Sequence, residues 1–217
     1  MEDTIARRFG DRGLLASRAM NDVEAPADGR VARRERNINS VLDVVLEMFA
    51  EESLFPTIEQ VAKRSGLSLR SLYRYFADPA ELLEAVIVRS REQVAEAVLL
   101  PAIGQGFVAD RIDDFVAMRL RLHEISGPTF RATMANAAHH PRVAAELASN
   151  RELMRDQFVL QFAPELEGLS TKEREHVLNA GDLLTQLDAV DFLRRHRQLS
   201  ADDTHAVVAA ALGALFR

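Results

Sequence analysis

The chain has 217 residues, 47% of them hydrophobic and 28% charged, with a formal net charge of −6 and no cysteine. That supplies a real core in one large domain or two modest ones, and it excludes disulfides, a thiol nucleophile and thiolate metal sites. Any affinity for nucleic acid has to come from a local patch, because the chain as a whole is acidic. No apolar run approaches the roughly 18 residues of a spanning helix. The opening stretch MEDTIARRFGDRGLL lacks the apolar run of a secretion signal. A cytoplasmic protein without membrane contact is expected.

Residues 1–30 are mixed and poorly periodic, and NDVEAPADGR has linker composition. A flexible N-terminal extension is expected there. Its Arg7, Arg8, Arg12 and Arg18 are interspersed with acids and make a poor polyanion site. From Arg33 the pattern changes. Ile38, Val41, Leu42, Val45, Met48 and Phe49 recur at three- and four-residue steps, the stripe of an amphipathic helix. It should stop near Glu52, since the residue before Pro56 is biased away from helix. Thr57 then reads as an N-cap with Gln60 as its capping-box partner. A second helix from Ile58 to Arg64 follows, Gly66 suits a tight turn, and Ser68 caps a third helix.

At about 100° per residue, Leu72 and Phe76 share one face of that third helix, flanked by Leu69 and Tyr75. Arg70 and Arg74 fall almost opposite, with Ser71 and Tyr73 on the borders. No acid interrupts Gln60 to Ala77, a stretch holding Lys63, Arg64, Arg70 and Arg74. Arginine binds phosphate or grips guanine through its planar fork. Serine hydroxyls, as at Ser68 and Ser71, and tyrosine hydroxyls bond phosphate oxygens. Two short helices at a steep angle with a basic, polar face on the second describe a helix-turn-helix.

The segment TIEQVAKRSGLSLRSLYRYFADPAELLEAV resembles the DNA-binding domain of the tetracycline-repressor (TetR) family of bacterial regulators. The likeness covers roughly residues 33–88. It implies an all-α homodimer whose small N-terminal domain, here residues 31–78, reads DNA. A larger helical domain, residues 79–217, would dimerise and bind a small effector. Tyr73 matches the family's tyrosine that meets phosphate or a thymine methyl. Arg74 and Tyr75 match positions that often touch phosphate, and Thr57 matches a frequent phosphate contact. Leu69, Arg70 and Ser71 match positions that vary with operator sequence. Pro79 stands where the family usually has a lysine, so that phosphate contact is lost. Pro79 instead suits a first helical position after an Asp78 cap, with Glu81 as partner. Leu69 replaces a commonly polar residue and either meets a thymine methyl or packs.

Beyond it the chain reads as helices only. The fourth continues from Pro79 towards Leu100, ending before Pro101, Gly104 and Gly106. Asp110 to Ile125 forms a segment with Ile112, Phe115, Val116, Met118, Arg119 and Leu122. Another helix is expected to start at Gly127-Pro128 and end near His140-Pro141. Pro141 opens a long helix through Phe162. Ser170 and Glu173 form a second capping box, and the helix they open is expected to run to about Arg195. Ser200 and Asp203 cap a last helix ending near Phe216.

That last pair resembles the C-terminal helices of many TetR members, which build a dimeric four-helix bundle. Candidate interface positions are Val190, Leu193, Val207, Ala210, Ala211, Leu212 and Ala214; a symmetric DNA reader needs such a two-fold partner. Phe115, Met118, Phe130, Met134, Phe158 and Phe162 could line an apolar effector cavity, with His123 or Gln186 as a polar contact. Adjacent His139 and His140 face different directions on a helix and complete no metal site. No cofactor is implied. No nucleophile elbow, phosphate loop or His-Glu-x-x-His points to an enzyme. The expected function is sequence-specific DNA binding by a transcriptional regulator, as a repressor released from a palindromic operator by a small apolar effector. The alternative is an architectural or ligand-independent DNA binder whose second domain only dimerises.

Overall fold

The computed structural model describes residues 29–52, 56–95 and 97–217. The expected N-terminal extension, up to residue 28, lies outside the described residues. Those residues form helices α1 (Gly29–Glu52), α2 (Ile58–Ser65), α3 (Leu69–Tyr75), α4 (Pro79–Val94), α5 (Val108–Ala137), α6 (Pro141–Gln161), α7 (Ala163–Glu167), α8 (Thr171–Thr185), α9 (Leu187–Asp191) and α10 (Ala201–Leu215). A π-helical turn over Phe192–His196 follows α9. The described part is all-α. None of its helices is long and apolar enough to cross a membrane.

The described residues fall into two compact units. One holds residues 29–93 and 128–148, the other residues 94–127 and 149–217. In the first, Val41, Val45 and Phe49 of α1 close over Val61 of α2 and Leu72 of α3, and Leu82, Leu83 and Val86 of α4 complete the core. The helix ends are fixed locally. Thr57 accepts from the Gln60 N–H while Gln60 accepts from the Thr57 N–H at 2.8 Å, closing the expected capping box. Gly66 ends α2 in the left-handed region (φ 70°), where a side chain would strain the backbone. Asp78 accepts from the Glu81 N–H at 2.8 Å and Glu81 accepts from the Ala77 N–H, so α4 starts at Pro79.

In the second unit, Ser170 and Glu173 form the second expected capping box, and Ser200 caps α10. Three boundaries differ from the sequence expectation. The fourth helix ends at Val94, short of Leu100. The two helices expected either side of Gly127-Pro128 are one 30-residue helix with Pro128 inside it. Proline cannot donate the ladder bond to the Glu124 carbonyl, yet the helix continues through it. The helix expected to reach Arg195 stops at Thr185, because Gln186 adopts extended backbone (ψ 153°) and a new helix starts at Leu187.

Candidate nucleic-acid interface

The face of α3 opposite its buried Leu72 is open. Arg70 is exposed and makes no hydrogen bond or ion pair among the described residues. Tyr73 is 52% and Leu69 41% exposed. An exposed, unpaired guanidinium beside a phenol and a methyl-bearing side chain offers the donors and apolar contacts that read base edges and phosphates. Ser68 and Ser71 sit at the helix start, where the Ser68 hydroxyl accepts from the Ser71 N–H and the two hydroxyls lie 3.0 Å apart. Thr57 is exposed at the start of α2.

Two expected contributors are otherwise engaged. Tyr75 is 8% exposed and belongs to the core. Its hydroxyl accepts from Asn37 at 3.1 Å and from Arg74 at 3.4 Å. Those two donors lower the phenol's pKa below its ordinary value. The ring also receives the Arg74 guanidinium at 5.3 Å from its centroid. Tyr75 therefore orients Arg74 from beneath, rather than presenting its hydroxyl to solvent. Arg64 is held by Glu51 at 2.5 Å, which ties α2 to α1 and removes a cation from the patch. In return the guanidinium holds the Glu51 carboxyl below its ordinary value.

The expected cavity residues separate. Phe115, Met118, Phe158 and Phe162 are all fully buried in the second unit. Phe115 meets Phe162 edge-on at 5.3 Å, Phe158 tilts against Phe162 at 4.8 Å, and Phe216, just past α10, stacks on Phe162 at 4.8 Å. Gly181 has no room for a Cβ, which would overlap the Phe158 ring. Phe130, half-buried, and Met134, 39% exposed, belong to the other unit. His123 bonds Asp191 at 3.0 Å, and Gln186 donates to Asp182. Of the expected interface positions, Val190 and Leu212 are buried inside the chain's own core. Val207, Ala210 and Ala214 are exposed, with Leu193 and Ala211 half-buried.

Arg119 was legible only as part of the α5 stripe, four residues after Phe115. It is 1% exposed. Nη1 donates to Gln157 Oε1 at 2.6 Å and Nη2 to the Met154 carbonyl at 2.7 Å. The guanidinium lies 4.5 Å from the centroid of Phe115, and its Nε–H has no partner. Burial pushes its pKa down to about 9, with the Asp182 charge opposing. The group is still a cation at neutral pH.

A sequence model of the bacterial regulatory proteins of the tetR family matches residues 41–86. The HTH-type transcriptional regulator BetI of Klebsiella pneumoniae (strain 342) is 29% identical over 154 residues, covering 68% of this chain and 77% of its own length. BetI of Escherichia coli O9:H4 (strain HS) matches to the same extent. Among solved structures, a tetR-family transcriptional regulator from Streptomyces coelicolor superposes with a TM-score of 0.65. It is 20% identical, over 83% of this chain and 80% of that one. A TetR transcriptional regulator from Rhodococcus sp. RHA1 gives a TM-score of 0.51 and 21% identity, over 83% of this chain and 95% of that one.

Proposed function

Because the chain belongs to the TetR family of helix-turn-helix transcriptional regulators, we propose that it is a homodimeric repressor, released from a palindromic operator by a small, largely apolar effector. The open face of α3 carries this proposal: Arg70 is exposed without an ion pair, beside exposed Leu69 and Tyr73. In the proposed complex Arg70 grips a base, Leu69 and Ser71 tune the choice, and Tyr73, Arg74, Ser68 and Thr57 meet phosphates. The protein acts in the bacterial cytoplasm, at the nucleoid when DNA-bound.

Dimerisation is assigned to the exposed side of α10, where Val207, Ala210 and Ala214 lie at helical three- and four-residue steps. Exposed Leu183 and Phe192 supply further apolar surface in the same unit. Two reading helices must lie about 34–36 Å apart, or a multiple, to enter successive major grooves. An effector that changes this separation loses one half-site. It can shift the equilibrium only by its difference in affinity between the two dimer shapes.

The test is titration of the purified full chain into labelled DNA from upstream of its own gene, with footprinting. A palindromic footprint that collapses when an effector is added supports the proposal. Sequence-independent binding, or a footprint that no small molecule relieves, favours the ligand-independent alternative.

A further inference from the structure

Other arginines in the second unit, buried or half-buried, come with acids. Arg111 pairs with Glu165, Arg151 with Asp188 at 2.9 Å and Arg155 with Asp182 at 3.0 Å. Arg119 is more buried than any of these and has no ion pair among the described residues. The acid nearest in effect, Asp182, is occupied by Arg155 and by the Gln186 amide. The Arg119 charge is thus left without a direct counter-ion among the described residues.

A buried charge without a counter-ion is costly: the bonds to Gln157 and the Met154 carbonyl and the Phe115 ring offset part of the desolvation penalty, and no carboxylate offsets the rest. The guanidinium's engaged edge faces Gln157, Met118 and Met154. Its other edge has a free Nε–H, beside an Nη2 that holds a second hydrogen. A carboxylate meeting a guanidinium side-on takes that pair of parallel N–H groups. The guanidinium lies over the Phe115 ring and beside the Met118 thioether, and Phe115 in turn meets Phe158 edge-on at 6.0 Å. One uncompensated charge in an apolar setting selects a monoanion; a phosphate dianion would bury a second charge with no counterpart.

We propose that Arg119 is the anchor of a binding site for a monocarboxylate with an apolar body, an aryl or alkyl acid whose carboxylate takes the Nε/Nη2 edge while its body replaces part of the Phe115–Phe158–Phe162 cluster. Phe216 is the half-buried member of that cluster, so its ring is the one that swings aside for entry. This site rests on the effector-release reading only for its consequence at DNA; binding itself does not need that reading.

The experiment uses the full chain at neutral pH. Phenylacetate and decanoate are compared with phenylacetamide and decanamide by thermal unfolding and calorimetric titration. At a hundredfold excess over Kd the acids should raise the midpoint by about 5–10 °C, and the amides should bind at least about tenfold more weakly. In Arg119→Met the acid-induced rise should disappear, and the acid–amide difference with it, even though the ligand-free midpoint falls because Gln157 and the Met154 carbonyl lose their donor; an arginine with a merely structural role predicts no acid preference in the wild type. The proposal is overturned if neither acid binds, if acid and amide bind alike, or if Arg119→Met keeps the acid preference. Should that variant not fold, the wild-type acid–amide comparison alone decides. Acid binding that leaves the operator complex intact sinks the effector-release reading and keeps the site. Operator release by the amides but not the acids does the reverse.

Discussion

Arg70 and Arg119 both lack a carboxylate partner among the described residues, yet they stand in opposite environments. Arg70 lies on the open face of α3, where water solvates its charge at little cost. Arg119 is buried between α5 and α6 over an aromatic ring, away from bulk solvent. An exposed free cation is cheap and is drawn to any polyanion, so its specificity must come from geometry on a short, well-capped helix. A buried free cation is expensive and binds only what can enter, so its specificity comes from charge number and shape. The first arrangement suits a ligand far larger than the protein, and the second a ligand smaller than a side chain's surroundings.

The largest expected effect tests how rigid the buried region is. Phe158→Ala should destabilise the protein by about 3–5 kcal/mol, because a fully buried ring is lost from a close-packed cluster. Gly181→Ala should cost about 1–3 kcal/mol by overpacking, despite alanine's better helix propensity, since the new Cβ meets the Phe158 ring. In the double variant the ring is gone and the second substitution should cost little or even stabilise. Chemical denaturation of all four proteins measures this coupling. Additive losses would mean that the two residues do not press on each other, and that the aromatic cluster is looser than described.

Arg70→Ala is next, and it should touch only the other side of the comparison. Specific DNA affinity should fall by about 1–3 kcal/mol with relaxed preference at one position per half-site, while stability stays within about 0.5 kcal/mol. Tyr73→Phe should weaken binding to all sequences more evenly if its hydroxyl meets phosphate. Anisotropy titrations against single-base operator variants separate these outcomes. An unchanged sequence preference in Arg70→Ala removes the base-reading role.

Much of the first unit was legible in the sequence because it is specified locally. Thr57–Gln60, Ser68, Gly66 and Asp78–Glu81 act within four residues of themselves, so the positions of α2, α3 and the start of α4 follow from side-chain chemistry alone. The candidate reading face was legible for the same reason: seven residues of helix leave few ways to orient Arg70 against Leu72. The second unit depends on contacts distant in sequence. Pro128 reads as a helix start but lies within α5. Gln186 looks like mid-helix and ends α8. Arg119 showed one usable signal, a charge on the apolar stripe with Phe115, but its missing counter-ion appears only when α6 and α8 are brought beside it.

Tyr75→Phe gives a smaller effect that sharpens the boundary between reading and support. Its hydroxyl is held by Asn37 and Arg74 rather than presented to solvent. Removing it should lower stability by about 1 kcal/mol, the net worth of a typical hydrogen bond. DNA affinity should fall only as far as Arg74 loses its orientation. If affinity falls as much as in Tyr73→Phe while stability is unchanged, Tyr75 turns outwards to touch phosphate, as its place in the family pattern implied.

The smallest effect is a pH dependence at the start of α4, just after the candidate reading helix α3. Asp78 accepts the Glu81 N–H and receives Arg142 at 2.9 Å, while Arg142 also pairs with Glu84 at 3.4 Å. The Glu81 backbone bond first, and the Arg142 charge with it, lower the Asp78 pKa from its ordinary 3.8. A carboxylate lowered in the folded state stabilises fully above its unfolded value, and that contribution is lost as the pH falls through the lowered folded value. The gap in thermal midpoint between wild type and Asp78→Ala should therefore be flat from neutrality to about pH 5 and narrow as the pH falls towards 3.8 and below. It should end at the lesser contribution of a protonated cap. The group is solvent-exposed, so added salt should narrow the part due to Arg142 at every pH and leave the short-range cap. A gap that widens on acidification would reverse the sign and take Asp78 out of the capping role.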